Sequence, residues 1–101
     1  MLSTELEHYP VDEYDILLVN GEELAIIEVK YKVHPKDVQK LEKKIKNIKK
    51  LPQYKNYKVY AGVAGFNISR DVITLAKEEG YFILQRKGDV IHTISDNLKV
   101  A

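Results

Sequence analysis

The chain has 101 residues, 45% of them apolar and 31% charged, which is one soluble domain, residues 1–101, with a single core and no room for a second. Its apolar runs are far shorter than a membrane span, and the absence of cysteine excludes a disulfide framework and any thiolate metal site. Residues 1–9 lack the basic start and apolar middle of a signal peptide, so a cytoplasmic location is expected.

The net charge of +1 conceals a separation along the chain. Residues 1–28 carry eight acidic groups and no lysine or arginine, whereas residues 30–58 carry 11 lysines against Asp37 and Glu42. A basic surface beside an acidic segment suits a polyanion on one side and a cation on the other, and a solvated lysine-rich helix is the plainer reading of the same pattern.

In chain order, Leu2 to His8 reads as a first strand, ended by Tyr9-Pro10 because proline removes a ladder donor. Glu13 to Val19 and Glu23 to Tyr31 are β-rich runs joined by Asn20-Gly21, the strongest short-range hairpin signal. Leu24 to Val29 is apolar on both faces until Glu28, as expected of a central strand covered on both sides. His34-Pro35 opens a helix whose Val38, Leu41, Ile45 and Ile48 form an apolar stripe, and Leu51-Pro52 stops it. Lys58 to Ala64 is the next strand, completing a βαβ unit with two parallel strands. Ser69 caps a second helix that ends at Gly80, and Tyr81 to Gln85 with Val90 to Ile94 close the chain as a strand pair around Lys87-Gly88.

The chemistry turns on Asp15, Glu28 and Lys30. Strand side chains alternate, so hairpin register decides whether the two carboxylates meet. A two-residue Asn20-Gly21 loop puts Asp15 opposite Ile26 and diagonal to Glu28; a four-residue loop from Asn20 to Glu23 puts it directly opposite Glu28. Either even length places both on one face, with Lys30 two residues further along, and an odd length separates them. Converging carboxylates need a neutralising cation, and hard oxygen ligands suit Mg²⁺. Such an ion polarises a phosphate oxygen and lowers the pKa of bound water, while Lys30 orients that water or offsets developing charge. The helix opening at His34-Pro35, with Lys36 nearby, favours an anion at the same end. The bland alternative is a surface ion pair between Glu28 and Lys30, with Asp15 in an acidic loop.

Tyr14-Asp15, a hairpin, Glu28-Val29-Lys30, then a helix and an apolar strand, resemble the PD-(D/E)xK nuclease superfamily. Residues 13–80 in particular resemble small uncharacterised bacterial nuclease-like domains. The resemblance implies an α/β, restriction-endonuclease-like core, a central mixed β-sheet flanked by helices, here without the usual N-terminal helix. It implies that Asp15, Glu28 and the Val29 carbonyl bind Mg²⁺ or Mn²⁺, and that Lys30 is the catalytic partner. The superfamily's proline before the aspartate is Tyr14 here. Glu5 or Glu7 are candidates for a third carboxylate, and Gln39 echoes a glutamine that related nucleases use beside the site, although the tyrosine that often follows is Lys43.

Lys32, His34, Lys36, Gln39, Lys40 and Lys43 are accordingly the expected nucleic-acid contacts, with DNA the expected partner. His8, His34 and His92 are scattered and not at metal-ligand spacing. Tyr54, Tyr57 and Tyr60 flank the basic helix and read as packing residues, with base stacking the functional alternative. The expected function is therefore a divalent-metal-dependent nuclease. The alternatives are a non-catalytic nucleic-acid-binding or assembly module on the same fold, or a protein-interaction domain. A homodimer would enlarge the core of a small domain and pair two sites.

Overall fold

The computed structural model describes residues 3–4 and 15–101, the first three of these through their strand pairing. Ser3–Thr4 (β1) pairs antiparallel with Leu18 and Val19 of Asp15–Asn20 (β2). It is the described part of the strand expected over Leu2–His8. The end of that strand at Tyr9-Pro10, the residues Glu13-Tyr14, His8 and the candidate carboxylates Glu5 and Glu7 lie outside the described residues.

β2 turns into Glu23–Val29 (β3) through Gly21-Glu22, and the ladder runs from Asn20↔Glu23 to Asp15↔Glu28. Gly21 has φ +60°, the positive value that a type II′ hairpin requires at its first central position. The register is the one that the four-residue loop predicts, with Asn20 and Glu23 drawn into the ladder as its closing pair. β3 stops at Val29, two residues earlier than the apolar run suggests, and Lys32–Val33 (β4) follows as a separate short strand.

His34 then caps Pro35–Lys49 (α1), its backbone N–H donating to the buried Asp37 carboxylate at 2.8 Å. After a short 3-10 turn, Lys58–Gly65 (β5) runs parallel to β3. Asn67–Ile68 (β6) pairs with β4, a two-stranded parallel sheet too short for periodicity to reveal. Ser69 Oγ accepts from the Val72 N–H to cap Arg70–Glu79 (α2), which ends at Gly80. Phe82–Lys87 (β7) runs parallel to β5, and Val90–Ile94 (β8) folds back antiparallel on it. The result among the described residues is an α/β fold with two helices and a mixed sheet ordered β1-β2-β3-β5-β7-β8, the two-residue β1 lying at one edge. Among them, no helix is long and apolar enough to cross a membrane.

The core lies between one face of the sheet and the two helices. Leu24, Ile26, Val59, Ala61, Val63 and Ile83 pack there against Val38, Leu41, Ile45, Val72 and Ala76. Cover on both faces of β3 was the expectation, and Ile27, on the face away from the helices, is indeed buried; a sheet flanked by helices was implied, and the described helices share one face. The reason is topological. The crossovers β3-α1-β5 and β5-α2-β7 step across the sheet in the same direction, and right-handed units that do so put both helices on the same side. Leu24 and Ile26 are therefore sealed at 1% exposure; on the alternate face Ile27 is also buried, at 5%, and Val29, at the strand end, is 40% exposed.

Where β5 ends, Gly65 lies directly beneath the end of β3. A Cβ there would run into the carbonyl oxygen of Lys30 and come within 2.9 Å of the Val33 side chain. Because the first obstacle is backbone, it cannot rotate away. Gly65→Ala is expected to lower stability by about 1–3 kcal/mol, measured by urea unfolding. Unchanged stability would contradict this close approach.

Candidate active site

The site forms at the C-terminal end of β3, where the antiparallel hairpin and the parallel β3–β5 pair meet. Asp15 and Glu28 are directly opposed in the ladder, so the two positions share one face of the sheet. Glu28 continues the series Leu24, Ile26, Glu28 that faces the helices, and it is only 2% exposed. Lys30 follows two residues later, its backbone N–H donating to the Ala64 carbonyl at 3.0 Å. Its ammonium is 3.6 Å from Glu28 Oε1.

The second cation on Glu28 comes from elsewhere in the chain. Lys44, on α1, donates to Glu28 Oε2 from the helix that roofs the strand. Burial pushes its ammonium down from 10.5 to about 8 despite the carboxylate beside it. Sequence reasoning missed Lys44 among the many lysines of this segment. The signal was its position: Leu41 and Ile48 lie three residues before and four after it, both buried, so Lys44 sits in the apolar stripe and not on the solvated side. A carboxylate this deep is costly without such partners, and removing one member of a buried pair typically costs about 3–5 kcal/mol.

The remaining predicted residues are spread around this centre. Val29, whose carbonyl is the third proposed ligand, ends β3, and its side chain is exposed. Lys36, Lys40 and Lys43 are exposed on α1 at i, i+4 and i+7, forming one stripe beside the face that carries Lys44. Lys32 and His34 are exposed around a 380 Å³ cleft that also includes Asn67, Ser69 and Gln85. Gln39 lines a small cavity with Glu42, Leu75, Glu79 and Tyr81 between the two helices; the α1 residue brought to Glu28 is Lys44. Tyr54 is buried and meets Tyr57 edge-on at 5.2 Å, and Tyr60 is half-buried on β5. Tyr54 and Tyr57 pack with the core, whereas Tyr60 alternates with the core-facing Val59 and Ala61 and lies on the other face of the sheet.

Among the described residues, no group of three or more histidine, aspartate or glutamate side chains is arranged to hold a metal ion. The hard-oxygen candidates remain the facing positions Asp15 and Glu28 and the Val29 carbonyl. Lys44 already occupies Oε2, so a cation bound to that oxygen would compete with its ammonium.

These features define an α/β domain with a buried, lysine-neutralised glutamate at the end of a central strand. The chain belongs to the family described as Domain of unknown function (DUF8196), which matches residues 2–93. No curated protein and no solved structure matches it.

Lys44 gives the site a defined pH response. Below pH 8 both folded and unfolded chains hold its proton; between about 8 and 10.5 only the unfolded chain does, so this group's contribution favours folding more as pH rises through that window. The Lys44 Cε resonance, followed by NMR, should titrate with a midpoint near 8, and stability relative to Lys44→Met should improve across the same window. A midpoint above 10 would contradict the burial that lowers it.

Proposed function

We propose that this chain has a restriction-endonuclease-like core of the PD-(D/E)xK type and is a divalent-metal-dependent nuclease acting on DNA. The observation that carries the reading is the opposition of Asp15 and Glu28 across the hairpin, with Lys30 two residues beyond and 3.6 Å from Glu28. The mixed sheet, with a hairpin followed by a parallel crossover, is consistent with that core.

In this reading Asp15, Glu28 and the Val29 carbonyl hold Mg²⁺ or Mn²⁺, and Lys44 yields its place on Oε2. The ion, when bound, supplies Lewis acidity for a phosphate oxygen and for the attacking water. Lys30, at the rim with a partly exposed side chain, positions that water and offsets charge developing on the phosphorane. Lys36, Lys40 and Lys43 contact phosphates outside the scissile bond, contributing affinity without sequence preference.

A second reading, a DNA-binding module on the same fold that does not cut, is favoured by one observation: Glu28 is already neutralised by Lys44 and Lys30. Incubating pure protein with supercoiled plasmid and linear DNA in Mg²⁺, Mn²⁺ or EDTA separates the two. The nuclease reading predicts metal-dependent cleavage that falls about 100-fold or more in Glu28→Ala and Lys30→Ala. Cleavage that survives in both variants is contamination and sinks that reading. Steeply salt-dependent binding by wild type without cleavage favours the second.

A further inference from the structure

Beside Lys30 lies a 310 Å³ cleft, bordered by Val29, Tyr31, Phe66, Leu84, Arg86 and Ile91. Its walls arise from chain direction. Tyr31 follows Lys30 past the end of β3 and Phe66 follows Gly65 past the end of the adjacent parallel strand β5, so two distant positions emerge side by side. The Tyr31 carbonyl accepts from the Phe66 and Asn67 N–H groups at 3.1 and 3.0 Å, which locks the two strand ends together. The rings stack with centroids 5.3 Å apart and an interplanar angle of 29°. The Arg86 guanidinium lies over Phe66, 5.0 Å from its centroid, and is held there by its Nε–H donating to the Gly88 carbonyl at 2.9 Å.

This is an unusual use of aromatic residues. Phe66 is 45% exposed and Tyr31 72% exposed, so the fold leaves nearly half of one ring and most of the other in water. Both charged side chains lining the cleft, Lys30 and Arg86, are cations. Planar π faces beside fixed cations match a nucleobase attached to phosphates. The volume is at the small end for ligand pockets, large enough for a base but not for a duplex. Lys30 lines the cleft and also reaches Glu28, so a strand whose base occupies the cleft would bring its phosphate to the proposed cutting site.

We propose that the Tyr31–Phe66–Arg86 cleft is a stacking subsite for an unpaired nucleobase, so that the nucleic acid engaged here is single-stranded or frayed next to the scissile phosphate. This rests on the nucleic-acid reading of the adjoining Glu28–Lys30 site. Bases inside a duplex are already stacked on each other and have no free face to offer.

The test compares wild type, Tyr31→Ala and Phe66→Leu binding to a short single-stranded oligonucleotide carrying 2-aminopurine and to its blunt duplex, in EDTA to prevent cleavage. Wild type should bind the single strand with quenched 2-aminopurine emission. Each substitution should weaken that binding about tenfold and relieve the quenching, with duplex affinity changed by less than about twofold. Thermal unfolding of the variants controls for folding, and Tyr31 is exposed enough for its removal to be tolerated. Equal binding by wild type and variants, or equal losses on both nucleic acids, overturns the subsite and leaves the nuclease reading standing. Wild type binding only duplex does the same. Wild type binding neither overturns both. If sedimentation shows a wild-type dimer that Tyr31→Ala dissociates, the cleft is a self-interface and the proposal is wrong.

Discussion

The Glu28 carboxylate sits under a helix at the end of a central strand, where it is almost completely out of water. Ionised, it requires positive charge close by, and the fold brings Lys44 down from α1 and Lys30 back from the strand end to supply it. That requirement constrains everything near it. α1 has to start at Pro35, just after its His34 cap, and run back across β3 and β5 for Lys44 to reach, and β5 has to end in Gly65 so that the backbone at Lys30 can lie against it.

Two successive crossovers in one direction then distribute roles between the faces of the sheet. One face buries apolar side chains beneath both helices and ends in the charged cluster. Beyond the C-terminal ends of β3 and β5, the chain carries Tyr31 and Phe66 into solvent beside Arg86. Crevices at such strand ends are where ligands commonly bind in open α/β sheets. Lys30 belongs to both regions, since it pairs with Glu28 and lines the aromatic cleft.

Much of this was legible in the sequence, for reasons that are local. Asn20-Gly21 between apolar runs announced the hairpin, Pro35 and Ser69 announced the helix starts, and Gly80 the second helix's end, because each of these rests on backbone preferences of a few neighbouring residues. That any even loop would bring positions 15 and 28 together was readable too, although the ladder itself had to exclude an odd one. Which even register forms was not, because choosing between loops depends on whether Asn20 and Glu23 join the ladder. Lys44 was hidden by number: it is one of 11 lysines between residues 30 and 58, and only the packing of α1 on β3 distinguishes it. The Tyr31–Phe66 pair was out of reach for a similar reason, since it depends on two parallel strands ending at the same level. That both described helices cover the same face of β3 was not legible either, because apolar content shows that a strand is buried without showing which side the crossovers take.

In the proposed function, Glu28 anchors a divalent cation in exchange for the Lys44 ammonium. Calorimetric titration of Mn²⁺ into wild type, Glu28→Gln and Lys44→Met tests it directly. The expected result is a wild-type site that disappears in Glu28→Gln and tightens in Lys44→Met, where no ammonium competes. Mn²⁺ binding that is absent from wild type, or identical in wild type and Glu28→Gln, would contradict it.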